Sequence, residues 1–351
     1  MTVATLDTGA VGAVDSTGQA AEILDLPLHL SDALWRVESA AIKPADSAGG
    51  MIVAGMGGSG IGGRLAIAAL GSRARRPITV TADYRLPPWA TADSTVLCTS
   101  YSGTTDETLA CYDAAGALGA RRIVATTGGG LAERARRDGV PVVPIPGGFQ
   151  PRAAVGYLMV VALEIAALSG AAPSLRAEVE AAAALATELA ERWRPDGAED
   201  AEPKRLARAL DGCVPIIAGA ELTAPVAYRW KTQLNENAKL PAFAGELPEI
   251  DHNEIVGWRA SPDYGRFAAV LLDDPETDER TRRRIALTAE LAADGAQAVE
   301  VVCTRGESRT ERVVSAVLLG DLLSLYTAVL RGVDPVEIDV LDTLKARLSE
   351  G

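Results

Sequence analysis

Short apolar runs that break at glycines or hydroxyls, each followed by a helical pattern, recur along this chain and leave it few folds. MIVAGMGGSG runs into GGRLAIAALG, and PITVTADYR, STVLCTSYSG, DETLACYDAAGALG, RRIVATTGG and GVPVVPIPGG follow in turn. Apolar strands separated by helices predict βαβ units and a parallel sheet, since parallel neighbours need a crossover and a helix supplies it. The pattern stops in a segment rich in Ala, Glu and Arg that closes on RPDGAEDAEP, then restarts: CVPIIAGAE, LTAPVAYRWKTQLNENAK, RFAAVLLDD, ETDERTRRRIALTAELAADG and AQAVEVVCTRG.

The two halves read as variations on one plan. The strand and loop at 52–60 correspond to 214–222, those at 95–105 to 268–278, and the apolar helix at 153–172 to that at 313–332. We therefore expect an α/β protein of two duplicated domains, each a mostly parallel sheet flanked by helices in an α-β-α sandwich. The expected boundaries are a flexible N-terminus at 1–20, a first domain at 21–172, a helical linker at 173–203, a second domain at 204–332 and a C-terminal helix at 333–351. With 351 residues, 48% of them hydrophobic, the chain can fill two cores.

Composition removes several classes of function. A net charge of −13 offers no basic footprint for nucleic acid. Cys98, Cys111, Cys213 and Cys303 are widely spaced, which argues against a zinc ribbon or a disulfide framework and reads as buried reduced thiols. The first residues lack the basic start and apolar core of a signal peptide. Glu164 and Asp321 interrupt the two long apolar runs, which are expected to fall short of membrane spans and to be buried helices. A soluble, cytoplasmic chain is the expectation, with no membrane or nucleic-acid partner.

Two loops carry chemistry. GMGGSGIGG fits G-x-G-x-x-G through Gly55, Gly57 and Gly60, but Ile61 follows Gly60 where a Walker loop needs Lys. SYSGTTDETL contributes hydroxyls instead. Both lie where strands run into helices, so the Gly58 backbone, the Ser59, Ser100, Ser102 and Thr105 hydroxyls and the helix ends suit a phosphate monoester. A dinucleotide site with Asp83 on the ribose remains open, as does a plain capped turn at 100–105. Only His29 and His252 exist, so no multi-His metal site is expected, and a site that holds only a phosphate ester needs no cofactor.

Taken together, the Gly-Gly-Ser-Gly loop, the Ser-Tyr-Ser-Gly-Thr-Thr loop, QPRAA, QLNENAK and EIDHNEIVGW resemble the bifunctional phosphoglucose/phosphomannose isomerase family, whose chains carry two sugar isomerase (SIS) domains. The resemblance runs from about residue 20 to 350. It implies a metal-independent aldose–ketose isomerase that interconverts fructose 6-phosphate with glucose 6-phosphate, mannose 6-phosphate or both, through a cis-enediol. It also implies roles: Glu236, between Asn235 and Asn237, shuttles the proton. His252, supplied across a homodimer interface, and Lys345, in DTLKARL, open the ring, while Arg152 stabilises the enediolate. Val336 and Glu337 stand where the family often has Thr-Pro, in a region tied to the mannose epimer. The alternatives are a non-catalytic or diverged sugar-phosphate-binding SIS protein and a dinucleotide-dependent oxidoreductase. His29, in LPLHL, reads as structural.

Overall fold

The computed structural model of the protein describes residues 5–349. Two short helices, α1 (Thr8–Gly12) and α2 (Gln19–Leu24), come first. Then follow α3 (Leu26–Ser39), β1 (Met51–Ala54), α4 (Gly58–Leu70), β2 (Ile78–Thr81), β3 (Thr95–Thr99) and α5 (Asp106–Leu118). β4 (Arg121–Thr126), α6 (Gly129–Asp138), β5 (Val142–Pro144) and α7 (Val155–Leu168) complete the first alternation, and α8 (Arg176–Trp193) follows it. The second comprises α9 (Glu202–Ala209), β6 (Val214–Gly219), α10 (Ala224–Asn237), β7 (Phe243–Glu246), β8 (Phe267–Asp273), α11 (Glu279–Ala292) and β9 (Ala298–Cys303), with α12 (Arg309–Arg331) and α13 (Asp339–Ser349) last.

Contacts divide the chain into two compact units. The first holds Asp25–Glu188 and Thr304–Ser315; the second holds the residues up to Leu24, Leu189–Cys303, and those from Ala316 onward. The division falls inside α8, within the stretch expected to be a linker. In the first unit five parallel strands lie in the order β2-β1-β3-β4-β5. In the second, four parallel strands in the order β7-β6-β8-β9 repeat the first four positions of that plan. The duplication expected from pattern is therefore present in topology.

Every residue of β1 and β3 is buried, as a parallel strand covered by helices on both faces should be. Ile52, Val96, Val124, Tyr112 and Leu131 pack into one core beneath α5 and α6. The second unit has smaller clusters around Ala218, Leu271 and Ile285, and around Trp258, Ala269 and Ala292.

Three expectations need revision. Residues 5–24 carry buried Leu6 and Val11 and two capped helices, although their composition reads as loose. Asp7 accepts from Ala10 N at 2.8 Å, and Asp15 accepts from Gln19 and Ala20 N at 2.8 Å each. These local caps supply the order that small residues alone would not. Pro151–Leu168 and Arg309–Arg331 do reach the length and apolarity of a membrane span, but most of their surface is buried in the protein, which is the signature of core helices. Cys98, Cys111 and Cys213 are buried free thiols, whereas Cys303, at the end of an edge strand, is exposed.

Candidate functional site

Strand order fixes where the first unit can hold a ligand. From β1 the chain crosses to β2 on one side, and from β3 to β4 on the other, so the loops after β1 and β3 diverge and leave a crevice between them. Ala54 and Cys98 are paired in register, so the two loops leave the sheet at one level. These are the glycine loop and the hydroxyl loop singled out from sequence.

The loops are joined directly. Tyr101 N donates to Ser59 Oγ at 3.2 Å, and Thr99 Oγ1 donates to Ser59 O at 3.2 Å. Sequence treats Ser100, Ser102 and Thr105 alike, but the structure separates them. Ser100 is buried; its hydroxyl accepts from Gly103 N at 3.0 Å and pairs with Thr105 Oγ1 at 2.8 Å, closing the turn. Ser102 is exposed and pairs with Thr104 Oγ1 at 2.9 Å, so two hydroxyls stand at the mouth of the crevice. Gly103 makes the turn possible: its φ is +69°, and a Cβ there would lie 1.8 Å from Gly128 O.

The two helix N-termini differ electrostatically. α5 has Asp106 and Glu107 in its first turn, which already offset its positive end, whereas α4 has no acid there. An anion is therefore better placed over the start of α4, at Gly58 and Ser59, with Ser102 and Thr104 opposite.

Arg152 comes to this place by backbone packing. It lies on a 3-10 turn, Pro151–Ala154, at the entry to α7, and is only 4% exposed. A Cβ on Gly58 would meet Pro151 O at 3.1 Å and Arg152 Cα at 3.3 Å, so the glycine lets the arginine segment lie against the loop. Arg152 Nη1 donates to Gln150 Oε1 at 3.4 Å. A buried guanidinium thus stands beside the neutral donors of the two loops.

The remaining candidates belong to the second unit. Glu236 is half-buried near the end of α10 and lines a cleft of about 500 Å³ with Asn235, Lys239, Leu240, Pro241 and Glu337–Leu341. Three contacts fix α10 against α12: a two-pronged ion pair from Arg229 to Asp321 at 3.0 and 2.6 Å, Trp230 Nε1 to Ala316 O at 2.8 Å, and Asn237 Nδ2 to Ser324 Oγ at 2.9 Å. His252 ends a 3-10 turn, Glu249–His252, is exposed, and is not among the residues lining the Glu236 cleft. Lys345 lies in α13, but its side chain is outside the described ones. Among the described residues no group of three or more His, Cys, Asp or Glu is arranged to hold a metal.

At the sheet end of the second unit that corresponds to the hydroxyl loop, buried Asp273 and Asp274 replace the hydroxyls. Thr223 fills the glycine-loop position and spends its hydroxyl on Ala220 O and Leu272 O. Carboxylates repel a phosphate, which sets this end of the second unit apart from the glycine and hydroxyl loops of the first.

A family model described as the bacterial phospho-glucose isomerase C-terminal SIS domain matches residues 199–348. The chain is 38% identical over 304 residues to a bifunctional phosphoglucose/phosphomannose isomerase of Caldicellulosiruptor bescii, covering 86% of this chain and 89% of the relative. It is 33% identical over 302 residues to the protein of that name in Aquifex aeolicus, covering 86% and 91%. Among solved structures, a glucose-6-phosphate isomerase like protein from Thermus thermophilus matches with a TM-score of 0.64 over 97% of this chain and 99% of that one, at 20% identity. The two parallel sheets of one strand order are thus those of two SIS-type domains.

Proposed function

The chain belongs to the bifunctional phosphoglucose/phosphomannose isomerase family of sugar-phosphate aldose–ketose isomerases, and we propose that it interconverts fructose 6-phosphate with glucose 6-phosphate, mannose 6-phosphate or both by metal-independent proton transfer through a cis-enediol. The observation that supports this most is the joined pair of loops at the first unit's crevice, with Arg152 buried against them.

In this reading Gly58, Ser59, Ser100, Ser102 and Thr105 form the phosphate site, Ser100 and Thr105 by holding the turn and the others by facing the anion. Glu236 takes the proton from one carbon of the C1–C2 pair and returns it to the other. A carboxylate in that role contributes about 10²–10⁴-fold. Arg152 stabilises the negative charge that develops on the enediolate oxygen, an effect of about 10²–10³-fold for a single well-placed donor. His252 and Lys345 open the sugar ring, and His252 reaches the site from a second copy in a cytoplasmic homodimer.

A coupled assay on glucose 6-phosphate and mannose 6-phosphate tests the reaction. The Glu236→Gln variant should lose about 10²–10⁴-fold in kcat, and undiminished turnover in that variant would sink the assignment of the base. Glu337, which lines the cleft with Glu236, supports a second reading in which the chain binds sugar phosphates with diverged turnover. Tight binding of fructose 6-phosphate by calorimetry without conversion of either aldose would favour it.

A further inference from the structure

Sequence alone reads His29 as a structural histidine. In the structure it is 8% exposed on α3 and sits in an aromatic stack. Its ring lies 5.2 Å from that of Phe149, nearly parallel at 17°, and 5.0 Å from that of Tyr157. Its Nδ1 has no partner. His29 therefore grips the chain on both sides of Arg152 through ring contacts, with Phe149 before it and Tyr157 after it.

The same segment is held from the crevice side. Phe149 N donates to Tyr101 Oη at 3.2 Å, and the two rings lie 5.5 Å apart, so Phe149 connects the histidine to the hydroxyl loop. Gly58 backs onto Pro151 and Arg152. Behind the stack, Tyr157 Oη donates to Asp32 Oδ2 at 2.8 Å, and Asp32 accepts from Arg36 Nε at 2.6 Å, which locks the outer ring. An apolar side chain at residue 29 would pack in this cage without leaving a polar atom unpaired, so the histidine is retained at a cost. Burial holds it below the usual imidazole range, against the pull of Asp25 and Asp32, which keeps it neutral beside the arginine segment.

We propose that His29 is a positioning residue for Arg152: through its ring contacts with Phe149 and Tyr157, it sets the 149–154 turn so that the guanidinium meets the charge that develops in the reaction. This rests on the reading of Arg152 given above. A displacement of about 1 Å at a group of that kind is enough to cost up to about 10²-fold in rate.

Two variants of the full chain remove the ring contacts. His29→Leu does so with an apolar side chain and His29→Gln with a polar one. Each is measured alone and combined with Arg152→Ala, in steady-state kinetics on fructose 6-phosphate. The expected result is a fall in kcat of about 10–100-fold with KM within about threefold, and a further change below about twofold when Arg152 is already alanine. Unchanged kcat in both variants, a loss carried by KM, or losses that multiply with that of Arg152→Ala would overturn the proposal, since a histidine that only stabilises the fold acts independently of residue 152. If Arg152→Ala itself turns over like the unmodified protein, the reading of Arg152 falls and the proposal falls with it. That outcome differs in kind from a silent His29.

Discussion

Replacing Asp321 by Asn tests how α10, the helix that carries Glu236, is held. Arg229 is 1% exposed and pairs with Asp321, itself 6% exposed, with both carboxylate oxygens engaged. The asparagine keeps the volume but removes the charge, so the enclosed guanidinium loses this carboxylate. Breaking one side of a buried pair in this way costs about 3–5 kcal/mol. For a folding unit of 150–250 residues each kcal/mol moves the midpoint by about 2–4 °C, so the thermal transition should fall by about 6–20 °C. Calorimetry or circular dichroism reads it. The double variant Arg229→Met with Asp321→Leu removes both charges and should recover most of the loss, because a well-packed apolar pair substitutes for a buried ion pair at little cost. A single-variant shift below about 2 °C, or a double variant as unstable as the single one, would refute the assignment of this pair as the lock on α10.

Gly103→Ala should raise the KM for sugar phosphates at least about tenfold, as its left-handed backbone costs about 1–2 kcal/mol with a side chain and the new Cβ would strike Gly128 O; the coupled assay checks it, and an unchanged KM counts against the hydroxyl loop as the phosphate site. Glu164, whose carboxyl is pushed up by burial and whose Oε1 has no partner, is a source of instability at neutral pH. Because the folded value lies above the unfolded one, the neutral acid fits at low pH and the cost appears as pH rises through the folded value. Glu164→Met should therefore stabilise by about 1 kcal/mol at pH 7–8, the low end for an enclosed polar group that is partly screened. The gain should vanish near pH 4, as denaturation curves at both pH values would register.

Sequence carried the fold further than it carried the site. Strands β1 and β3 were legible because β1 is a wholly apolar run and β3 an apolar run between threonines, each cut short by glycine or hydroxyls, and the duplicated order follows from the spacing of such runs. What composition hid at residues 5–24 was a pair of side-chain caps, Asp7 and Asp15, whose effect depends on geometry rather than on apolar content. The three hydroxyls of the second loop looked equivalent because sequence shows donors but not which way they turn. Only the backbone fold makes Ser100 a fastener and leaves Ser102 outward. His29 is illegible for the opposite reason. Its ring partners, Phe149 and Tyr157, are distant in sequence, and a lone histidine on the buried face of a helix carries no local sign of them.

The hydroxyl pairing at the crevice has a consequence for turnover. Ser102 and Thr104 satisfy one another while the crevice is empty, and each hydroxyl can reverse its donor direction without moving its oxygen. In the proposed phosphate site, an arriving phosphate would exchange one set of neutral hydrogen bonds at these hydroxyls for another. Neutral donors of this kind favour moderate binding and quick release. In a reaction whose substrate and product bear the same phosphate and differ little in free energy, rapid release in both directions keeps the enzyme from being silted up by its own product.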